Sequence, residues 1–141
     1  DEHVREVSLN TVFEDADIVS LHIPYLPENH HFVDEEFLRS FRKPVWLVNT
    51  ARGIVLDTAA LVQAMKASRV RGAALDVLEY EETSFDFLDF DAMPAPFQYL
   101  INAENVVLSP HIAGWSQESK EGHARVLARK IRERFGKEEE E

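Results

Sequence analysis

Apolar and polar positions follow two different periods along this chain, and the switches between them mark the elements. Four short runs read as buried strands: Ile18-Val19-Ser20-Leu21-His22-Ile23, Val45-Trp46-Leu47-Val48-Asn49, Ala73-Ala74-Leu75-Asp76-Val77-Leu78 and Asn105-Val106-Val107-Leu108. Pro24 and Pro27 stop the first of them. Helical spacing fills the intervals. Ser8 is an N-cap for a helix to about Ala16, with Val12, Phe13 and Ala16 on its apolar face. Asp34 caps a helix from Glu35 to about Phe41, with acidic residues in the turn that the helix dipole favours. Asp57 caps a third, rich in Ala and Leu, through about Ala67, and Arg69 to Gly72 reads as its exit. Residues 79–104 are acidic, aromatic and proline-bearing, an irregular excursion with one short helix near 96–101. Ser116 caps a long helix to about Phe135, closed by Gly136. Its Ala124, Leu127, Ala128, Ile131 and Phe135 share a stripe that predicts burial against a partner, most simply a second copy.

Strand and helix alternate throughout, which predicts parallel strands joined by right-handed crossovers. The fold class is α/β, a Rossmann-like parallel sheet. One hallmark is missing. The five glycines stand at 53, 72, 114, 122 and 136, and none forms the Gly-x-Gly-x-x-Gly turn that seats a pyrophosphate on a helix N-terminus. The chain therefore reads as the second half of a dinucleotide-binding domain with its Gly-rich first half absent. The expected organisation is a partial NAD-binding domain over 1–136, including the long helix 116–135, and an acidic tail over 137–141.

Composition narrows the partners. The 141 residues are 45% hydrophobic and 29% charged, values of a soluble globular domain. A formal net charge of −11 argues against nucleic acid or an anionic membrane. Glu138 to Glu141 contribute four of those charges, and the body stays acidic without them. Absence of cysteine removes disulfides and thiolate chemistry. No apolar run approaches the ~20 residues that span a bilayer, and no secretory pattern opens the chain. A cytoplasmic setting is the expectation.

Candidate chemistry lies at the strand ends, where open parallel sheets collect ligands. The run Val45 to Asn49 passes through Thr50-Ala51 to Arg52, whose planar donors suit a carboxylate. Pairing with a surface acid is the plainer reading of the same residue. His111 follows the last strand and Pro110, ahead of Ile112-Ala113-Gly114. It is either an acid/base group or a hydrogen-bonding loop residue. Glu81 follows the third strand among Asp76, Glu79 and Glu82, and spacing alone does not single it out. A carboxylate beside a histidine favours the imidazolium, which suits proton donation to a carbonyl. His22 and the pair His30-His31 lack the spacing of a zinc site, and no metal is expected.

In three segments the chain resembles the D-isomer-specific 2-hydroxyacid dehydrogenases, within them the phosphoglycerate dehydrogenase-like group. The segments are Phe13-Glu14-Asp15-Ala16-Asp17-Ile18-Val19-Ser20-Leu21-His22-Ile23-Pro24 with Asn29 and Phe32, then Leu47 to Asp57, then Gly72 to Glu81 and Ser109 to Gly114. The resemblance implies NAD-linked interconversion of a small 2-hydroxy acid and a 2-keto acid, with NADP as the alternative cofactor. It implies that Arg52 aligns the carboxylate and polarises the keto group. His111 is the implied acid/base, tuned by Glu81. Asp76 is implied to contact the nicotinamide carboxamide. His22, Pro24, Thr50, Ala51, Arg52, His111 and Gly114 are the other residues implied to line the cofactor. A homo-oligomer is expected.

The departures from the family pattern are specific. Arg42-Lys43-Pro44 stands where Lys-Pro-Gly is usual, and Glu82 replaces the proline after Glu81, which leaves Glu79, Glu81 and Glu82 open; register from Asp76 favours Glu81. Trp115 either walls the site or packs. With the glycine-rich half and the substrate domain absent, the 141 residues are expected to be an inactive fragment of the enzyme. Two other functions fit the scaffold: a nucleotide-sensing, corepressor-like binding protein, and a self-associating structural fragment.

Overall fold

A computed structural model describes residues 2–80 and 93–136. The chain divides into two units, Asp1–Pro110 and His111–Glu141.

In the first unit the order is α1 (Leu9–Asp15), β1 (Ile18–Leu21), α2 (Glu35–Arg39), β2 (Val45–Asn49), α3 (Thr58–Lys66), β3 (Val70–Leu75), α4 (Ala95–Asn102) and β4 (Val106–Leu108). The four strands form one parallel sheet in the order β1-β2-β3-β4. α1, α2 and α3 each start where a side chain satisfies an otherwise unpaired N–H. Ser8 Oγ accepts from Thr11 N–H at 3.2 Å, Asp34 Oδ1 from Phe37 N–H at 2.8 Å, and Asp57 Oδ1 from Ala60 N–H at 2.9 Å. The three caps are the ones read from the sequence.

One sheet face carries the core. Val19, Leu21, Val45, Leu47, Val70 and Leu75 are buried with Leu38 of α2, Leu61 of α3 and Leu100 of α4. Each fully buried leucine contributes about 1.5–3 kcal/mol. Phe13, Phe37 and Phe41 interlock edge to face, with centroids 5.0–5.5 Å apart, fixing α1 beside α2. The opposite face differs from the buried strands expected. Ile18 and Val107 are 65% and 67% exposed, and Trp46, register partner of Ile18, is 42% exposed. At the amino end of the sheet Lys43 Nζ lies 2.7 Å from Asp17 Oδ1. That hydrogen bond first, then the Lys43 charge, holds the Asp17 carboxyl below its ordinary range.

The third strand starts earlier than the expected Ala73. Val70 already pairs with Val45, so Val70 to Gly72 is strand rather than helix exit. The reversal falls at Ser68, whose φ of 57° is left-handed although it is not glycine. Gly72 serves a different purpose. A Cβ there would come within 2.4 Å of the Trp46 ring and 2.3 Å of the Asn105 carbonyl oxygen. The strand pattern ends sooner as well: Asp76, Val77 and Leu78 lie beyond β3, and His22 and Ile23 lie beyond β1. The short helix expected near 96–101 is α4.

The second unit is chiefly α5 (Gln117–Phe135), capped by Ser116 Oγ, which accepts from Ser119 N–H at 3.1 Å. Within this unit its stripe is open, with Leu127, Ile131 and Phe135 60%, 50% and 71% exposed among the described residues. The helix has charged residues on most of its surface, and no residue of it is buried. Among the described residues no helix is long and apolar enough to cross a membrane.

Candidate active site

The carboxyl ends of β1 and β2 stand side by side, Leu21 opposite Asn49, so the segments leaving them run together. His22, Ile23, Pro24 and Tyr25 from the first, with Thr50, Ala51 and Arg52 from the second, line a cleft of about 580 Å³. Five of the residues implied to line the cofactor thus come together: His22, Pro24, Thr50, Ala51 and Arg52. His22 Nε2 lies 2.9 Å from Ser20 Oγ, which orients the ring from β1. Ile23, within the family segment His22-Ile23-Pro24, belongs to the same wall, as does Tyr25, which sequence did not single out.

Arg52 is exposed on this cleft. Its Nη1 donates to the Ala51 carbonyl at 2.7 Å, and among the described residues no carboxylate pairs with it. Its backbone is extended, with φ −147° and ψ 141°. Next to it, Gly53 lets the Leu78 backbone approach: a Cβ would stand 2.0 Å from the Leu78 carbonyl oxygen. The arginine turn and the exit from β3 are therefore in direct contact.

Asp76 is 5% exposed at that exit. Its N–H donates to the Asn49 carbonyl at 2.9 Å, and its Oδ1 accepts from the Ser109 hydroxyl. Ser109 N–H in turn donates to Leu75 O at 3.0 Å, continuing the ladder between β3 and β4. Three strand ends are laced together in this way.

Of the three carboxylates left open by spacing, Glu79 has a defined place. Its Oε1 lies 2.7 Å from His31 Nε2, and its Oε2 accepts from Thr58 N–H at 3.0 Å, at the start of α3. The His31 ring stacks on His30 with centroids 4.1 Å apart. Tyr80 packs edge-on against Phe97, and burial first, then the Glu79 charge, pushes its hydroxyl above the ordinary value. Glu81 and Glu82 lie outside the described residues. No sequence spacing signals the His31–Glu79 contact, since the two are 48 positions apart.

His111, Gly114 and Trp115 belong to the second unit. His111 has φ 55°, a left-handed conformation that is uncommon outside glycine and occurs in functional turns. Trp115 is 70% exposed, its N–H donating to Ile112 O at 2.9 Å.

A cleft at the carboxyl ends of parallel strands is where open α/β domains hold their ligands, nucleotides among them. The model of the D-isomer specific 2-hydroxyacid dehydrogenase NAD binding domain matches residues 1–113. The chain belongs to that family, and its first unit is an NAD-binding domain. It is 43% identical over 124 residues to a glyoxylate reductase of Thermofilum pendens, covering 87% of this chain and 33% of that protein. Among solved structures it is similar to the D-lactate dehydrogenase with NAD+ from Lactobacillus jensenii, with TM-score 0.75, 31% identity, and 87% and 38% of the two chains covered. It is likewise similar to the NAD-complexed D-isomer specific 2-hydroxyacid dehydrogenase from Lactobacillus delbrueckii ssp. bulgaricus. There the TM-score is 0.75 and the identity 32%, over 92% and 40% of the two chains. The chain thus spans well under half the length of these relatives.

Proposed function

We propose that this chain serves the NADH-linked reduction of a small 2-oxo acid to the D-2-hydroxy acid, and the reverse. The observation that carries the proposal is Arg52: a permanent cation at the end of β2, exposed on a cleft, with no carboxylate bound to it among the described residues.

The cleft suits a nicotinamide cofactor. Ala51 and Pro24 keep its walls low, and Thr50 and His22 bring polar groups. Asp76 stands buried at the neighbouring strand end with a carboxylate able to accept from a carboxamide N–H. When bound, the cofactor supplies or takes the hydride. Arg52 binds the substrate carboxylate and draws electron density from the keto oxygen. His111 gives the proton to that oxygen during reduction and takes it back during oxidation. Glu81 orients the His111 ring. Gly114 leaves room beside the cofactor.

The relatives' names favour an unphosphorylated substrate such as glyoxylate or pyruvate over a phosphoglycerate-type one. Self-association is part of the proposal, and the exposed Leu127, Ile131 and Phe135 support it.

The test uses the complete product of the gene encoding these residues. NADH consumption is followed with glyoxylate, pyruvate, phenylpyruvate and phosphohydroxypyruvate, and NADPH is compared with NADH. Turnover of one or more unphosphorylated acids to the D product is expected. Tight NADH binding without turnover of any acid would favour the corepressor-like alternative. Turnover of phosphohydroxypyruvate alone would restore the phosphoglycerate-type specificity.

A further inference from the structure

Asn49 is the last residue of β2 and is fully buried, the only amide side chain in the buried core of the described residues. A buried carboxamide carries a desolvation penalty unless both its ends are bonded. Both are, and to one turn. Oδ1 accepts from Ala51 N–H at 3.0 Å, and Nδ2 donates to the Arg52 carbonyl at 3.1 Å. The Asn49 backbone carbonyl is separately fixed by Asp76 N–H at 2.9 Å. One side chain therefore holds the peptide units on both sides of the arginine turn, and β3 holds that side chain's own backbone.

We infer that Asn49 is the positioning residue for Arg52. It closes the turn Thr50-Ala51-Arg52 so that the guanidinium stands on the cleft shared with His22 and Pro24. This rests on the reading of Arg52 as the carboxylate-binding group. The chemistry selects asparagine. The turn needs one acceptor and one donor from the same short side chain, and asparagine supplies both without charge. Aspartate supplies only acceptors and would set a carboxylate against the Arg52 carbonyl. Valine or threonine, ordinary strand formers, would leave the Ala51 N–H or the Arg52 carbonyl without this partner.

A double-mutant cycle on the complete gene product tests the assignment, with Asn49→Asp, Arg52→Ala and the double variant. Displacing a binding group by about 1 Å can reduce turnover about 10²-fold. Asn49→Asp is therefore expected to lower kcat/KM for the 2-oxo acid by about 10- to 100-fold, through a lowered kcat and a raised KM together, the pattern of Arg52→Ala. In the Arg52→Ala background the same change is expected to add at most about twofold, since the group it positions is gone. Independent, multiplying losses would show Asn49 to be merely structural and would overturn the inference. If Arg52→Ala alone leaves KM and kcat unchanged, the reading of Arg52 itself fails, and the inference with it. A second measurement needs no variant at position 49. The Ala51 amide lies in a half-buried loop, and its hydrogen-bond acceptor is Asn49 Oδ1. Hydrogen exchange of that amide in the unmutated protein, slowed at least about tenfold relative to a free peptide, is the expected result. Exchange at the free-peptide rate would overturn the inference even if Asn49→Asp does not fold.

Discussion

Gly53→Ala should destabilise this domain more than an ordinary glycine replacement, and the geometry gives the size. A Cβ on Gly53 would stand 2.0 Å from the Leu78 carbonyl oxygen, 2.1 Å from its carbon and 2.6 Å from Glu79 N. All three are backbone atoms, so no rotamer change relieves the contact. Overpacking alone costs about 1–3 kcal/mol. Moving the Leu78–Glu79 peptide also strains the Glu79 contacts with His31 and Thr58 N–H, at 2.7 and 3.0 Å, and losing a buried hydrogen bond costs about 1–3 kcal/mol. A total of about 3 kcal/mol follows, which lowers the unfolding midpoint of a domain this size by roughly 10–13 °C. Thermal unfolding followed by circular dichroism measures it. Gly122→Ala is the internal control. It lies within α5 with no atom within 4 Å of an added Cβ, and alanine gains about 0.5–1 kcal/mol of helix propensity there. An unchanged midpoint in Gly53→Ala would refute the close approach of the β3 exit to the arginine turn.

Two further outcomes are expected. Glu79→Ala should cost about 1–3 kcal/mol in urea unfolding, because it strips a hydrogen bond from the buried start of α3 and from His31; equal stability would show that pair to be idle. The 141-residue polypeptide itself should bind NADH with a Kd on the order of 1 mM or weaker, about −4 kcal/mol, since it has no glycine-rich turn for the pyrophosphate. A micromolar Kd by calorimetry would place the phosphate contacts elsewhere.

The helix starts were legible because caps are local chemistry. Ser8, Asp34, Asp57 and Ser116 each accept from the residue three positions on, which spacing alone reveals. The strand ends at Asn49 and Leu108 were legible for the same reason, a change of period within a few residues. The start of β3 was not. Gly72 looks like punctuation in sequence, but its missing side chain makes room for a ring on the neighbouring strand. The cleft residues His22, Pro24, Thr50, Ala51 and Arg52 were legible as family motifs rather than as geometry. The Asn49 carboxamide and the Glu79–His31 pair were not legible, because burial and a contact 48 positions apart leave no period to read. The apolar stripe of α5 is real in spacing, yet spacing does not say what covers it.

The roles proposed for His111 and Arg52 are tested most directly by steady-state kinetics of His111→Asn and Arg52→Ala in the complete gene product. Loss of a well-placed acid/base typically lowers turnover about 10²–10⁴-fold, and His111→Asn should fall in that range with KM for the 2-oxo acid little changed. Arg52→Ala should lower turnover and also raise that KM, since it removes the carboxylate's partner. Wild-type turnover in His111→Asn, or an unaltered KM in Arg52→Ala, would contradict the account.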